Sequence, residues 1–234
     1  MPSRIAVLAS GRGSNLRVLL DYFAQPGRRD YGSVVLVASD KPEAGALDVA
    51  RAHAIEARAL ELGDTHEQSL LALLRDRETD LIVLAGFLRL IPSSVVRAFQ
   101  GRMVNVHPAL LPAFGGKGMY GTRVHRAVLA AGVRVSGPSV HFVDEQYDHG
   151  AIIAQWPVPV LASDTEQTLA ARVLYAEHRL LPRVVHALSA GRIRWSARGT
   201  AGASLGTQQE DMFTLQPRTE VESAMDRMLG LTDA

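Results

Sequence analysis

Cysteine is absent from the 234-residue sequence, which excludes disulfides, thiolate nucleophiles and cysteine metal sites. An excess of charge of either sign is also missing, because 25 basic residues meet 24 acidic ones and leave a formal charge of +1. That balance favours neither a nucleic acid nor an anionic membrane surface as a partner. No apolar run approaches the roughly 20 residues of a membrane span. We therefore expect neither a nucleic-acid partner nor a membrane partner.

What the sequence does contain is enough apolar material for a sizeable core. Hydrophobic residues make up 47% of the chain and charged residues 21%, which is typical of one large globular domain. The first residues, Met1–Ile5, lead directly into a predicted strand and leave no room for a signal peptide. We therefore expect a cytoplasmic protein.

Residues 1–110 alternate between short apolar runs and helical patterns. Four runs are nearly continuous in Val, Ile, Leu and Ala, as expected of strands buried on both faces of a parallel sheet: Ile5–Ala9, Val34–Ala38, Leu81–Ala85 and Met103–Val106. Between them, apolar residues recur at helical spacing. This alternation predicts an α/β fold with a doubly wound, mostly parallel sheet. Ligands bind to such sheets outside the carboxyl ends of the strands.

Residues 111–195 add elements of a different kind. Ser139–Val143 and Ile152–Val158 are close enough in sequence to form an antiparallel hairpin, with a functional loop at its tip. A capping box at Ser163–Glu166 predicts a long helix that runs to about Ala190. A short edge strand is expected at Ile193–Trp195.

The predicted organisation is one domain over residues 1–195 followed by a tail. Within the domain, residues 1–110 and residues 111–195 form two halves, to which the motifs and the resemblance given below assign different ligands. Residues 196–206 are rich in Gly, Ala, Ser and Thr, which is typical of a flexible linker. We expect residues 196–234 to be a flexible tail that includes at most a short helix.

The first chemical motif, Ser10–Asn15 with the sequence SGRGSN, follows the first strand. Its glycines let backbone N–H groups approach an anion, and the amino terminus of the next helix adds positive potential. The Walker lysine and the third glycine of a dinucleotide site are both missing. The motif therefore predicts a site for a single phosphate. The alternative is a glycine turn in which Ser14 or Asn15 caps the helix.

The second motif is Asn105-Val106-His107-Pro108 at the end of the fourth predicted strand. Strand periodicity directs Asn105 and His107 to one face, while Val106 points to the other. An amide can donate to an oxygen that gains negative charge, and an imidazole can move a proton near neutral pH. The pair therefore suits attack on a carbonyl. The alternative is structural, with Asn105 capping the turn and His107 packed beneath it.

Asp148 lies in the predicted hairpin loop, after His141. Read alone, Asp148-His149-Gly150 is a turn. If Asp148 faces His107, however, the carboxylate raises the pKa of the imidazole and organises water for proton transfer. His141 either reaches the same cleft or is a hydrogen-bonded core histidine. A metal site is not favoured, because no helical H-x-x-x-H spacing is present.

Glu177 interrupts the apolar stripe of the long helix, between Val173 and Leu180. Burial of an unpaired charge is costly, so Glu177 is expected to meet a cationic or amine-bearing partner at the edge of the cleft. The alternative is an arginine of the protein itself, either Arg172 or Arg179.

Taken together, these motifs resemble the phosphoribosylglycinamide formyltransferases of purine synthesis. The resemblance covers about residues 3–195. Its most specific pieces are Gly11–Asn15, Leu84–Arg89, Asn105–Pro108 with Leu110–Pro112, and Ser139–Val143 leading to Asp148–Gly150.

The resemblance implies transfer of the formyl group of 10-formyltetrahydrofolate to the amine of N1-(5-phospho-D-ribosyl)glycinamide. The products are formylglycinamide ribonucleotide and tetrahydrofolate, and no metal takes part. By the same likeness, the catalytic residues are Asn105, His107 and Asp148. The acceptor's phosphate and glycinamide are held by Gly13, Ser14, Asn15 and Glu177. Folate is bound by His66, Leu88, Arg89, Leu90, Ile91, Asn105, Asp144, Glu145, Gln146, Tyr147 and Asp148, with His141 in support.

The chain departs from the family pattern at the catalytic loop. The family usually has Asp-x-Gly-Pro, whereas this chain has Asp148-His149-Gly150-Ala151, and losing the proline loosens a loop that should be stiff. Three alternatives stay open: a methionyl-tRNA formyltransferase, a formyltetrahydrofolate deformylase, and a non-catalytic folate- or phosphate-binding module. The two enzymes are expected to carry an additional domain that these 234 residues do not contain. Small molecules are the expected partners, and the chain is expected to be a monomer or a homodimer.

Overall fold

The computed structural model describes residues 1–60, 66–195 and 203–205, with side chains described for 1–60 and 67–195. The helices are α1 Ser14–Ala24, α2 Gly45–Ala52, α3 His66–Asp76, α4 Ser93–Ala98, α5 Thr122–Ala130 and α6 Glu166–Ser189. The strands are β1 Ser3–Leu8, β2 Gly32–Ser39, β3 Glu56–Ala59, β4 Leu81–Leu84, β5 Met103–His107, β6 Val135–Ser136, β7 Ser139–Phe142, β8 Ile152–Gln155, β9 Val158–Pro159, β10 Ile193–Trp195 and β11 Ala203–Leu205. Within these ranges, no helix has the length and apolar character needed to cross a membrane.

The central sheet has seven strands in the order β3-β2-β1-β4-β5-β7-β8. Strands β1 to β5 pair in parallel, whereas β7 is antiparallel to β5, and β8 to β7. The predicted α/β class, the mostly parallel sheet, the antiparallel hairpin and the long helix are all confirmed. The chain moves outward from β1 to β3 and then returns to the other side of β1 at β4, so the strand order reverses between β1 and β4. The loops that follow these two strands diverge there and leave a crevice.

Helices cover both faces of the sheet. One face packs against α1, α2 and α6, with Leu16, Leu47 and Leu181 fully buried. The other face packs against α3 and α4, and here Leu70 and Val95 are buried. Helix α5 lies beside α6 in a smaller apolar cluster. The site described below therefore has one layer of helices on each side.

Strand β3 was not predicted from the sequence. Its residues Glu56–Ala59 lie at the edge of the sheet and are half-buried or exposed, so they lack the apolar signal of the inner strands. Glu56 instead accepts hydrogen bonds from Arg58 and Arg77. An edge strand that carries charged residues is protected against pairing with another chain.

The capping box of α6 was predicted at the wrong residues. Thr165 is the N-cap residue, and its hydroxyl accepts from the N–H of Thr168 at 3.2 Å. The Thr168 hydroxyl accepts in turn from the N–H of Thr165 at 2.9 Å. Glu166, which the predicted box required to reach back to Ser163, instead binds Arg126 at 2.7 Å. The box thus begins two residues later than the sequence pattern indicated.

The strand predicted at Ile193–Trp195 is present, but it pairs with β11 in a separate two-stranded sheet. Strand β11, Ala203–Leu205, lies in the stretch that was expected to be a linker. The predicted strand Ile152–Val158 is divided, because Ile152–Gln155 joins the central sheet and Val158 pairs with β6. The tail and short helix predicted for the rest of residues 196–234 lie outside the described residues.

Candidate active site

A cleft of about 470 Å³ opens at the carboxyl ends of the central strands. Its walls come from the start of α1, the loop after β4, the end of β5, the hairpin loop, the glycine-rich loop 115–121 and the middle of α6. Segments far apart in sequence therefore meet at the edge where an α/β sheet binds its ligands.

The β1–α1 turn has the geometry of an anion site. Gly13 precedes α1 with φ +80, and a Cβ there would lie 2.8 Å from the backbone of Ala46, so only glycine fits. The first turn of α1 has no side-chain cap and no acidic residue. The alternative, in which Ser14 or Asn15 caps the helix, is wrong. Free N–H groups at a helix start can receive a phosphate.

Ser10 holds this turn against its neighbours. Its hydroxyl donates to Asp40 and accepts from the N–H of Leu88 at 3.0 Å. Its own N–H donates to the Gly86 carbonyl. The loops after β1 and β4 are therefore fixed to each other at the crevice where the strand order reverses.

Asn105, His107 and Asp148 lie in direct contact. Asn105 Nδ2 donates to Asp148 Oδ1 at 3.2 Å, and His107 Nδ1 is 3.4 Å from Asp148 Oδ2. His107 Nε2 donates to the Phe114 carbonyl at 2.8 Å. The side chains of His107 and Asp148 are only 4% and 10% exposed, so their contact is largely shielded from water. The predicted constellation is present, and the alternatives in which Asn105 merely caps a turn or Asp148 merely forms one are not supported.

His141 combines both roles that the sequence left open, since it is buried and also lines the cleft. Its Nδ1 donates to the Phe142 carbonyl at 2.8 Å, which leaves the lone pair on Nε2. Asn105 Nδ2 donates to that lone pair at 3.0 Å. His141 therefore fixes which end of the Asn105 amide faces the carboxylate.

Burial dominates the electrostatics of the pair. It lowers the pKa of His107, and the opposing effects of Asp148 and the Phe114 carbonyl do not fully offset it. The expected effect of Asp148 is confirmed, because its carboxylate acts to raise the pKa of His107, but burial outweighs it and the pKa is lowered overall. Burial alone would raise the pKa of Asp148, but His141, His107 and the Gly116 N–H together lower it. Asp148 is thus a carboxylate at neutral pH.

The unusual catalytic loop keeps Asp148 in place. Asp148 adopts φ +54, a conformation that aspartate tolerates better than most residues. Gly150 passes so close to the Phe142 carbonyl that a Cβ would lie 1.9 Å from that oxygen. The His149 ring contacts Asp144 at 2.6 Å and is exposed. Hence His149 points away from Asn105 and His107, and the loop adopts this path with alanine rather than proline at position 151.

Glu177 lines the same cleft and is 8% exposed. Its Oε2 accepts from Asn15 Nδ2 at 2.9 Å. Burial raises the pKa of Glu177 to about 7, and the Asn15 contact opposes that shift. Neither proposed arginine partner is used, because Arg172 binds Asp164 and Arg179 stacks on Tyr175. Within the described residues, Glu177 has no cationic partner and is available to a ligand.

The residues predicted for folate divide into two groups. Leu88, Leu90 and Tyr147 are partly exposed apolar side chains on the cleft wall. The wall also includes Arg89, Ile91, Asn105, Asp144, Gln146 and Asp148. A flat, largely apolar ring system suits this surface.

Among the predicted residues whose side chains the structure describes, one folate residue, Glu145, and two phosphate residues, Gly13 and Ser14, do not line the cleft. Glu145 pairs instead with Arg97 at 2.9 Å on the exposed side of the loop. His66 begins α3, but its side chain is outside the described part. Gly13 and Ser14 lie beside the cleft, in the turn that leads to Asn15.

Loop 115–121 contains four glycines, and no role was predicted for it from the sequence. The structure places it against the trio, because the Gly116 N–H donates to Asp148 Oδ2 at 2.9 Å. A Cβ at Gly115 would lie 2.6 Å from the Leu111 side chain and 3.1 Å from Asp148 Cβ. The density of glycine after Pro112 was the only sequence signal, and it does not reveal which side chain the loop supports.

Among the residues that the structure describes, no three His, Asp or Glu side chains are grouped in a way that could hold a metal ion. The expectation of a reaction without a metal stays a prediction.

The protein-family model described as formyl transferase matches residues 3–185. The chain belongs to the formyl transferase family. The resemblance stated from the sequence is confirmed at the level of the family. The curated relatives that match this formyl transferase include a chloroplastic phosphoribosylglycinamide formyltransferase of Vigna unguiculata, 45% identical over 201 residues. That match covers 84% of this chain and 64% of the relative, so the chain spans about two thirds of the plant protein.

Bacterial relatives match this formyl transferase over more of their length. The phosphoribosylglycinamide formyltransferase of Mycobacterium tuberculosis (strain CDC 1551 / Oshkosh) is 41% identical, over 80% of this chain and 86% of the relative. The solved phosphoribosylglycinamide formyltransferase of Anaplasma phagocytophilum has a TM-score of 0.79 and 32% identity, covering 90% of this chain and 97% of its own. A formyltetrahydrofolate deformylase of Pseudomonas syringae pv. tomato has a TM-score of 0.76 at 21% identity, covering 87% of this chain and 67% of its own. The deformylase likeness shows that the fold is shared, and nothing more.

Proposed function

We propose that this formyl transferase moves the formyl group of 10-formyltetrahydrofolate to the amine of N1-(5-phospho-D-ribosyl)glycinamide, in purine synthesis. The observation that carries the proposal is the shared cleft, which is lined by Asn105, His107 and Asp148 and also by Glu177 with Asn15. The first group suits carbonyl chemistry, and the second suits a small polar amine. The names of the relatives point to the same reaction.

In the proposed mechanism, 10-formyltetrahydrofolate supplies a carbonyl carbon that the substrate amine attacks. When the formyl donor binds, Asn105 Nδ2 keeps its contact with His141 and turns the hydrogen that points to Asp148 toward the oxygen that gains negative charge. Protonated His107 keeps its Nε2 contact with the Phe114 carbonyl and donates its Nδ1 hydrogen to the same oxygen. Asp148 favours the protonated form of His107 and positions a water that carries the proton from the amine to the departing folate nitrogen. The lowered pKa of His107 means that protonation depends on this carboxylate and on the bound substrates.

The acceptor end of the cleft selects the nucleophile. Glu177 accepts from polar hydrogens of the glycinamide substrate, and its burial makes that contact strong because water does not compete. Asn15 orients the Glu177 carboxylate. The turn at Gly13 and Ser14 offers backbone N–H groups to the phosphate.

A single assay tests this proposal against its alternatives. Purified protein and 10-formyltetrahydrofolate are incubated with phosphoribosylglycinamide, with initiator methionyl-tRNA, or with water alone as the acceptor. We expect turnover with phosphoribosylglycinamide at least about a hundredfold above that with water. Equal folate turnover with and without acceptor indicates a deformylase, and preferential use of the tRNA indicates the methionyl-tRNA enzyme. Tight folate binding without any turnover indicates a non-catalytic module.

We also propose that the protein works in the cytoplasm as a monomer or a homodimer. The plant relatives are named as chloroplastic, so location differs among similar proteins. Fractionation of cells and light scattering of the purified protein test these two points.

A further inference from the structure

We propose that Lys117, in the glycine-rich loop 115–121, binds the phosphate of the amine substrate and sets the preference for a phosphorylated acceptor. This inference rests on the proposed function and adds a residue that determines specificity at the same site. Lys117 is exposed, lines the cleft and has no hydrogen bond or ion pair to any other residue that the structure describes. Its cation is therefore available to a ligand.

The loop is attached at both ends to elements that line the cleft. At its start, the Gly116 N–H is bonded to Asp148. At its end, the loop enters α5, which packs against α6, the helix that carries Glu177. Lys117 therefore lines the same cleft as Asn15 and Glu177, in a loop that connects Asp148 to the helix beside α6.

The acidic side chain of Glu177 in the cleft is a second reason to expect a cation beside the phosphate. Glu177 is an acid, and a phosphate bound near it meets repulsion whenever both are ionised. The first turn of α1 provides backbone N–H groups but no charged side chain that lines the cleft. Three cations line the cleft among the described residues. Arg89 belongs to the loop after β4, and Arg123 lies over the Tyr120 ring at 4.8 Å, which leaves Lys117 for the anion.

The flanking backbone leaves Lys117 unobstructed. Gly116 and Gly118 have φ +97 and +89, and a Cβ at either position would meet nothing within 4 Å. Glycines at both sides allow the left-handed conformations that turn this short loop toward the cleft. The ammonium group has three donors on a long stem and binds phosphate as a point charge.

The test compares Lys117→Met with Lys117→Arg and with Lys41→Met, which removes the chain's other lysine at an exposed position that does not line the cleft. For Lys117→Met we expect KM for phosphoribosylglycinamide to rise about tenfold or more, as is typical when a hydrogen bond to a charged group is lost. The kcat and the KM for 10-formyltetrahydrofolate should stay within about threefold. Lys117→Arg should recover most of the affinity, and Lys41→Met should behave as the wild type.

Two further measurements decide the chemistry. With glycinamide riboside, which lacks the phosphate, Lys117→Met and wild type should turn over equally. Calorimetry with ribose 5-phosphate should show binding to wild type that Lys117→Met weakens by about tenfold. An equal loss with and without phosphate, a loss confined to folate, or unchanged ribose 5-phosphate binding overturns the inference. If wild type binds ribose 5-phosphate through Lys117 but fails to formylate phosphoribosylglycinamide, the proposed function alone is overturned.

Discussion

At the scale of single residues, Asp148 has the largest number of consequences. It accepts from Asn105 and from the Gly116 N–H, and it is 3.4 Å from His107 Nδ1. The sequence predicted that Asp148 pairs with His107, because both residues belong to motifs of the formyltransferase pattern. It did not predict the Gly116 contact, because the donor is a backbone N–H, which every residue except proline has. It also did not predict that the pKa of His107 is lowered overall, because the burial of His107 depends on segments other than its own strand.

Replacement of Asp148 by Asn should lower kcat by at least about a hundredfold while substrate affinity stays within several-fold, because the group acts in proton transfer rather than in binding. Asparagine tolerates the same backbone conformation at φ +54, so the fold should be retained. Steady-state kinetics and circular dichroism measure both effects. Near-normal turnover would contradict the proposed role.

The same variant should lower the pKa of His107 further. Asp148 is the charged group that opposes the effect of burial on this imidazole, so its neutralisation removes support for the protonated form. The protonated fraction should therefore disappear at a lower pH than in wild type. Titration of the His107 ring by NMR in the wild type and in the variant tests this. An unchanged or raised midpoint for His107 is incompatible with the contact described.

Replacement of Glu177 by Gln should stabilise the protein at high pH. The folded-state pKa of Glu177, about 7, exceeds its ordinary value of 4.5, so the folded protein holds a proton that the unfolded chain has lost between these values. Stability from this group is complete below about pH 4.5 and declines as pH rises to about 7, by up to about 3 kcal/mol. Glutamine keeps the acceptor for Asn15 without the charge.

Denaturant unfolding of wild type and Glu177→Gln at pH 5 and pH 8 measures the difference. The variant should be more stable at pH 8, and its advantage should shrink at pH 5. It should also have a raised KM for the amine substrate. A stability gap that does not depend on pH would show that Glu177 is not buried as an acid.

At the scale of elements, the β1–α1 turn illustrates what residue order can and cannot predict. Glycine spacing correctly indicated a tight turn and a free helix start at Gly13. The close approach of Ala46, however, comes from the next βα unit and has no local signature. For the same reason β3 was missed, because an edge strand with Glu56 and Arg58 lacks the apolar pattern that identified the inner strands.

A pair of matched alanine variants tests the turn. Gly13→Ala forces an alanine into φ +80 and against Ala46, which should cost about 2 kcal/mol or more in stability. Gly11→Ala, two residues earlier, has no positive φ, and its Cβ meets nothing within 4 Å. We expect a clear fall in Tm for the first and little change for the second. Equal effects would mean that the turn is not strained as described.

At the scale of the whole molecule, the two helical layers contribute different residues to one cleft, and we expect the acceptor and the folate to bind in separate regions of it. The α1, α2 and α6 layer carries Asn15 and Glu177, while the loop leading to α4 carries Leu88 and Leu90. The sequence predicted this architecture well, because parallel strands and helices leave strong periodic signals. It could not predict the depth of the cleft or the position of loop 115–121, since both depend on contacts between distant segments.

Hydrogen exchange should report the two regions separately. Ribose 5-phosphate should slow exchange at residues 14–16 and 116–121, whereas tetrahydrofolate should slow exchange at residues 88–91 and 144–148, because bound ligands protect the amides that they cover. Mass spectrometry of the protein with each ligand alone measures this. Protection of all four segments by either ligand would show that the two regions are not separate.

The contacts that hold His107 and Asp148 have a consequence for how such an enzyme can diversify. The Phe114 carbonyl and the Gly116 N–H are main-chain groups, so they persist whatever side chains surround them. Positions 117, 119 and 120 can therefore change without disturbing the reacting groups. Exchange of these loop residues for those of a relative should alter the choice of acceptor while leaving the chemical step intact, which makes this loop a natural place to engineer new formyl acceptors.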